Sequence, residues 1–198
     1  MRHNSNVSCE TFSSIAEYIL LLRKWNASIN LISQNDLDVI FKRHINDCIL
    51  LKNILEENNP DNILDIGSGN GLPGIILSIA MPERRLYLND IDKRKSAFLL
   101  EVIVKLRLNA EVISLDIRKL DMDKFSVITA KAFTSLVKML ETIKRGWEGK
   151  VLYMMKGIKS VQEIEQARQK GWIFDVRIHE LSEKSVILCV SNITRKHG

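Results

Sequence analysis

The stretch Asn62-Ile-Leu-Asp-Ile-Gly-Ser-Gly-Asn-Gly-Leu-Pro-Gly74 decides how this chain is read. Asn62–Ile66 is a short apolar run of the length and composition of a buried strand. Gly67, Gly69, Gly71 and Gly74 follow, and Gly74–Met81 then reads as an apolar helix. Glycine serves where a chain must turn sharply and where a ligand must come close to the backbone. A strand, a glycine loop and a helix in that order form a ligand-binding turn, with free N–H groups of the helix N-terminus expected at the ligand.

Outward from this loop, short apolar runs recur at Leu86–Asn89, Glu111–Leu115, Ser126–Ala130, Val151–Met154, Ile173–Ile178 and Val186–Val190. Helical segments fit between most of them, at Lys93–Leu108, Ser135–Lys144 and Val161–Lys170. Alternating strands and helices predict a mostly parallel seven-stranded α/β sheet with helices on both faces. The last two runs are only seven residues apart, too few for a parallel crossover, so they are expected to form an antiparallel hairpin.

Upstream, residues 1–60 predict an N-terminal helical cap on a core of residues 61–198. Phe12, Ile15, Ala16, Ile19 and Leu22 lie on one helical face, with Ser14 and Glu17 as a capping box. Asn26–Asn35 reads as a loop. Asp36–Glu56 reads as one further helix whose stripe is Leu37, Phe41, His44, Cys48, Leu51 and Leu55, ended by the turn residues Asn58–Asp61.

Composition sets the outer bounds. A chain of 198 residues supports one core and leaves little beyond a nucleotide-binding fold. Cys9, Cys48 and Cys189 form no CxxC, which argues against a disulfide framework or a metal site. Cys48 and Cys189 fall in apolar stretches and are expected to act as small core residues. No run has the ~20 apolar residues of a membrane span, and no signal peptide is evident, so a cytoplasmic protein is expected; the sequence is silent on oligomeric state, with a monomer the default expectation. The net charge of +5 is compatible with a polyanionic partner without requiring one.

Two frames fit the glycine loop. Gly69-x-Gly71-x-x-Gly74 matches the dinucleotide fingerprint, and Asp65-x-Gly67-x-Gly69-x-Gly71 matches the acidic pattern of S-adenosylmethionine (SAM) methyltransferases. Asp65, suited to the amino-acid portion of SAM and useless to a pyrophosphate, favours the second frame. So do the antiparallel hairpin and the lack of room for a dehydrogenase substrate domain. Asp90, 19 residues after Gly71 at the end of the second strand, is suited to accept from ribose hydroxyls. Asp92 is expected to cap the next helix.

The chain also resembles a specific family, the bacterial small-subunit ribosomal RNA guanine-N7 methyltransferases (RsmG, formerly GidB). The matching stretches are Trp25-Asn26 with Asn30-Leu31, Arg43-His44-Ile45-x-Asp47, the glycine loop with its Gly-Leu-Pro-Gly74 ending, Ala130-Lys131-Ala132-Phe133, and Tyr153-x-x-Lys156-Gly157. The resemblance implies a Rossmann-like class I SAM-dependent methyltransferase acting on one guanine in the decoding-region loop of 16S rRNA, as naked RNA or in a small ribosomal subunit particle. It implies that Gly67 and Leu72 line the cofactor, that Ile117 and Arg118 present backbone to the adenine, and that Lys131 borders cofactor and target base. Lys131 stands where the family usually has Arg, keeping the charge and losing the planar fork. Ile29 stands where the family favours an aromatic ring.

Guanine N7 carries a lone pair and no proton, so no general base is nominated. His44, within an apolar stripe, reads first as a structural residue; the resemblance adds the alternative that Arg43, His44 or Asp47 faces the cofactor cleft. Lys156 and Lys159, at the carboxyl edge of the sheet, are expected nearest the RNA, whose binding should weaken steeply with salt. Other readings remain: methylation of another RNA, a small molecule or a protein, or a non-catalytic nucleotide- or RNA-binding module.

Overall fold

Ser8 opens the first helix, α1 (Cys9–Asn26): its Oγ accepts the Thr11 N–H at 3.1 Å from an extended backbone. The computed structural model describes residues 8–143 and 146–196, so Lys144, at the end of one expected helix, lies outside the described residues. Ser14 and Glu17 fall inside α1 and form no capping box. Ser8 already satisfies the first exposed donors, and nothing in Cys9–Ser13 interrupts a helix. Ile15, Tyr18, Leu21 and Leu22 are buried from this helix.

The expected single helix over 36–56 is instead α2 (Gln34–Asp38), a π-helical turn at Phe41–Ile45, and α3 (Asn46–Glu56). The wide turn holds one extra residue, so Ile40 and Ile45, five apart, are both buried. Phe41 is thereby turned to the surface, 39% exposed, while Cys48, Leu51 and Leu55 keep their places in the core.

The sheet is built from β1 (Asn62–Ile66), β2 (Arg85–Asn89), β3 (Ala110–Ile113), β4 (Val127–Lys131), β5 (Val151–Gly157), β6 (Trp172–Ser182) and β7 (Ser185–Arg195). Their order is β3-β2-β1-β4-β5-β7-β6. The first five are parallel, and β7 runs antiparallel between β5 and β6, as the short connection requires. The hairpin strands run further than the apolar runs suggested, leaving only Glu183 and Lys184 between them. Helices α4 (Gly74–Ala80), α5 (Lys93–Leu106), α6 (Leu136–Thr142) and α7 (Gln162–Gln169) complete the α/β alternation.

The buried side chains divide between the two faces. On one, α1, α3, α4 and α5 share a cluster that includes Tyr18, Leu51, Ile75 and Phe98, so the helical cap and the sheet have a common core. On the other, α6 and α7 pack with Leu64, Ile128 and Leu152. The cap is also fastened by polar contacts: Trp25 Nε1 donates to Glu101 Oε2 at 2.8 Å, and Tyr18 Oη donates to the Asn70 carbonyl at 2.7 Å. The strand order reverses between β1 and β4, which places a crevice at their carboxyl ends. Among the described residues no helix is long and apolar enough to cross a membrane.

Candidate active site

Asp65 sits in β1 level with Thr129 of β4 and is fully buried. Its Oδ1 accepts the Thr129 hydroxyl at 2.9 Å, and its Oδ2 accepts the Gly74 N–H at 3.2 Å. The Ile75 N–H donates to the Gly71 carbonyl. The first donors of α4 are therefore spent inside the protein, which corrects the expectation that they face a ligand. Asp65 likewise supports the loop from beneath instead of lining the cleft. Gly71 and Leu72 are buried, Leu72 at 2% exposure, so they too shape the loop and do not line it. Gly74 is required sterically: a Cβ there would overlap Leu88 and come within 2.7 Å of Asp65 Oδ2.

Burial pushes the Asp65 carboxyl up to about 6, although its hydrogen bonds favour the charged form. The folded protein thus holds this proton more tightly than the unfolded chain. Stability from the protonated form is present at low pH and is lost as pH rises through roughly 4 to 6. The ionised group then costs about 3 kcal/mol at pH 7.5. Asp65→Asn can offer oxygen to the Gly74 N–H and its amide to the Thr129 hydroxyl. Its stability relative to wild type is expected to rise by about 2–3 kcal/mol between pH 4 and 7.5, in urea denaturation across that range. A difference independent of pH would contradict a raised carboxyl.

A cavity of about 680 Å³ opens above the loop and is lined by Gly67, Asp90, Ile117, Arg118 and Lys131 among others. Five of the nine expected cofactor residues thus meet at one place. Asp90 Oδ2 accepts the Gly69 N–H and Oδ1 accepts the Asp92 N–H, both at 2.9 Å, so its carboxylate is oriented by the backbone at the cavity wall. Gly69 acts through that bond. Asp92 caps α5 as expected, accepting the Arg94 N–H at 2.9 Å. Ile117 and Arg118 lie in a short 3₁₀ turn capped by Asp116, which also pairs with the Arg118 guanidinium.

Three features of this cavity were not read from the sequence. Asn89 Nδ2 donates to the Ile113 and Leu115 carbonyls at 2.9 and 2.8 Å and fixes the exit of β3. The Phe133 ring lies over Gly67, where a Cβ would run into it. Ala132 has φ +51°, a left-handed backbone unusual outside glycine, and turns the chain sharply out of β4. Fixed β positions and helix stripes carry local signals; a side chain reaching across to a neighbouring strand carries none.

A second cavity, about 740 Å³, lies between the π-helical turn, the end of β5 and the hairpin. Lys131 and Ala132 line both cavities, so the two adjoin there. Arg43, His44 and Asp47 all face the second one, so His44 stands at a cavity wall and not in the apolar core. Its Nε2 is 3.3 Å from Asp36 Oδ1. Burial, then the Lys131 charge, pulls the His44 pKa down, so its neutral form prevails at pH 7. Burial also draws the Lys131 ammonium below its usual value.

Lys156 corrects another expectation. Its Nζ donates to Glu163 Oε1 and Oε2 at 2.8 and 2.7 Å and to the Thr134 carbonyl at 2.8 Å, with its side chain only 9% exposed. Glu163 also accepts the Leu136 N–H. Lys156 therefore ties β5 to α6 and α7 and is not free for phosphate. Lys159 is exposed in the turn after β5, while Lys42 and Lys184 bring exposed charge to the second cavity.

Residues 11–190 match the GidB family model, described as rRNA small subunit methyltransferase G. The chain belongs to that family. A ribosomal RNA small subunit methyltransferase G of Paracoccus denitrificans is 37% identical over 177 residues, covering 88% of this chain and 90% of that protein. The same-named protein of Rickettsia akari is 35% identical over 191 residues, covering 96% and 98%. Among solved structures, a methyltransferase from Geobacter sulfurreducens superposes with a TM-score of 0.62 at 12% identity, covering 91% of this chain and 89% of that one. That likeness shows the shared Rossmann-like fold. Within the GidB family frame, the junction of the two cavities falls at the Ala-Lys-Ala-Phe motif, whose Lys131 keeps a positive charge there.

Proposed function

We propose that this chain transfers a methyl group from SAM to N7 of a guanine in small-subunit (16S) ribosomal RNA. The observation that carries the reading is the meeting of two cavities at Lys131 and Ala132. The residues of the first suit SAM: the Gly67 backbone with the Phe133 ring over it, the Asp90 carboxylate for ribose hydroxyls, and the apolar Ile117 wall for adenine. Gly67, Asp90, Ile117, Arg118 and Lys131 would hold it, with Asp65, Gly69, Gly71 and Leu72 supporting the loop. Bound there, it supplies a methyl group on a positively charged sulfur. A dinucleotide is disfavoured because Asp65 already occupies the α4 N-terminus.

The second cavity would take the base of a single-stranded or flipped-out nucleotide, the form in which RNA sequence is read. Its task is positioning: N7 needs no deprotonation, so alignment and exclusion of water supply the catalysis. Lys131 can donate to O6, next to N7, and keep the ring in register. Exposed Arg43, Lys42, Lys184 and Lys159 are available to phosphates.

The test is mass mapping of 16S rRNA from cells lacking the gene. One N7-methylguanine should be missing and should return when the wild-type gene is restored. Unchanged rRNA would overturn the proposal.

A further inference from the structure

We propose that Asp47 selects guanine by reading its Watson–Crick edge, the two carboxylate oxygens accepting from N1–H and from the N2 amino group. The inference rests on the function proposed above and adds to it the residue that distinguishes guanine from adenine.

Two carboxylates line the second cavity, and they differ in what they touch. Asp36 is engaged by the Ser33 hydroxyl, Arg43 and His44. Asp47 is half-buried and, among the described residues, makes no hydrogen bond or ion pair within the protein. Neither oxygen is sealed from solvent, so a base in the cavity can reach both, and partial burial strengthens a hydrogen bond made there. Burial holds its carboxyl above the usual range, and the Lys131 and Arg43 charges pull it back.

N7, O6, N1 and N2 follow one another along the ring edge. Lys131 lines both cavities and Asp47 the second alone, so a base reaching from the first cavity into the second meets Lys131 where the two adjoin. With N7 toward the first cavity and O6 at Lys131, N1–H and N2 come to the Asp47 side. Adenine would set its N1 lone pair against the carboxylate there. The arrangement also favours the reaction itself. As the N7 lone pair forms the new N–C bond and the C–S pair stays with sulfur, positive charge passes to the purine and N1–H becomes more acidic. A carboxylate on that hydrogen binds more strongly as the charge develops, while no proton leaves the ring.

The probes are GMP, IMP, AMP and 7-methyl-GMP, added to the full-length protein with saturating S-adenosylhomocysteine so that they cannot occupy the first cavity. Binding is read by saturation-transfer NMR titration. Wild type should bind 7-methyl-GMP more tightly than GMP, and GMP roughly tenfold more tightly than IMP, which lacks the N2 amino group, or AMP. Asp47→Asn should bring all four within about twofold of one another. The variant removes an unpaired half-buried charge, so its melting temperature should equal or exceed that of wild type and its SAM affinity should be unchanged. A wild type that binds IMP as well as GMP, or an Asp47→Asn that keeps the wild-type ranking, overturns the inference. Methyl transfer by wild type to unmodified small subunits is measured in parallel. Its absence with the ranking intact would remove the RNA reading and leave a guanine pocket, whereas its presence with a flat ranking would remove Asp47 alone.

Discussion

Gly74→Ala is expected to lower the melting temperature by roughly 10 °C, the result of about 3 kcal/mol of overpacking in a chain of this size. The added methyl has nowhere to go. It would overlap Leu88 in the sheet and crowd Asp65 Oδ2 at 2.7 Å, and both neighbours are fully buried. Pushing Asp65 away breaks its bond to the Gly74 N–H and strands a donor and a carboxylate together in a low-dielectric interior. The displacement passes directly into the glycine loop, so SAM affinity should fall by roughly tenfold or more. Differential scanning calorimetry and SAM titration measure the two effects. A variant that melts with wild type would show that the loop and Leu88 can separate freely, against the packing described.

Asp90→Ala is expected to weaken SAM binding by roughly a hundredfold, equivalent to about 3 kcal/mol for two charge-assisted hydrogen bonds to ribose hydroxyls. The same side chain accepts the Gly69 and Asp92 N–H groups, so truncation also releases the loop from β2 and the start of α5. Asp90→Asn separates the two roles. It can keep the bond to one backbone N–H but offers a donor where a second acceptor is needed, and should fall between wild type and Ala. Equilibrium dialysis with labelled SAM gives the affinities. Unchanged affinity in the Ala variant would remove Asp90 from the site.

Asp65 and Asp90 show how far sequence reading reached and where it stopped. Both are aspartates at strand ends beside the glycine loop, and both read as ligand groups. Asp90 stands at the wall of the first cavity. Asp65 lies level with Thr129, which comes from a strand 64 positions later and takes one of its oxygens. Lys156 and Lys159 differ in the same way. They are three residues apart in one motif-bearing segment, yet Glu163 buries the first and leaves the second in solvent. The π-helical turn is a local feature that periodicity still missed, because one extra residue in a turn shifts the phase of the stripe without erasing it.

The order of strands and helices, the antiparallel hairpin and the position of the cleft were legible from sequence alone. Each depends on local periodicity, glycine spacing or the length of a connection, which are properties of neighbouring residues. Tertiary structure decided which polar side chains reach the cleft and which are spent inside the protein. It also decided that Lys131 lines both cavities and that Asp47, among the described residues, has no hydrogen-bond or ion-pair partner. Those facts depend on what distant segments bring alongside each charge, and a carboxylate or ammonium acquires its role from that company and not from its own identity.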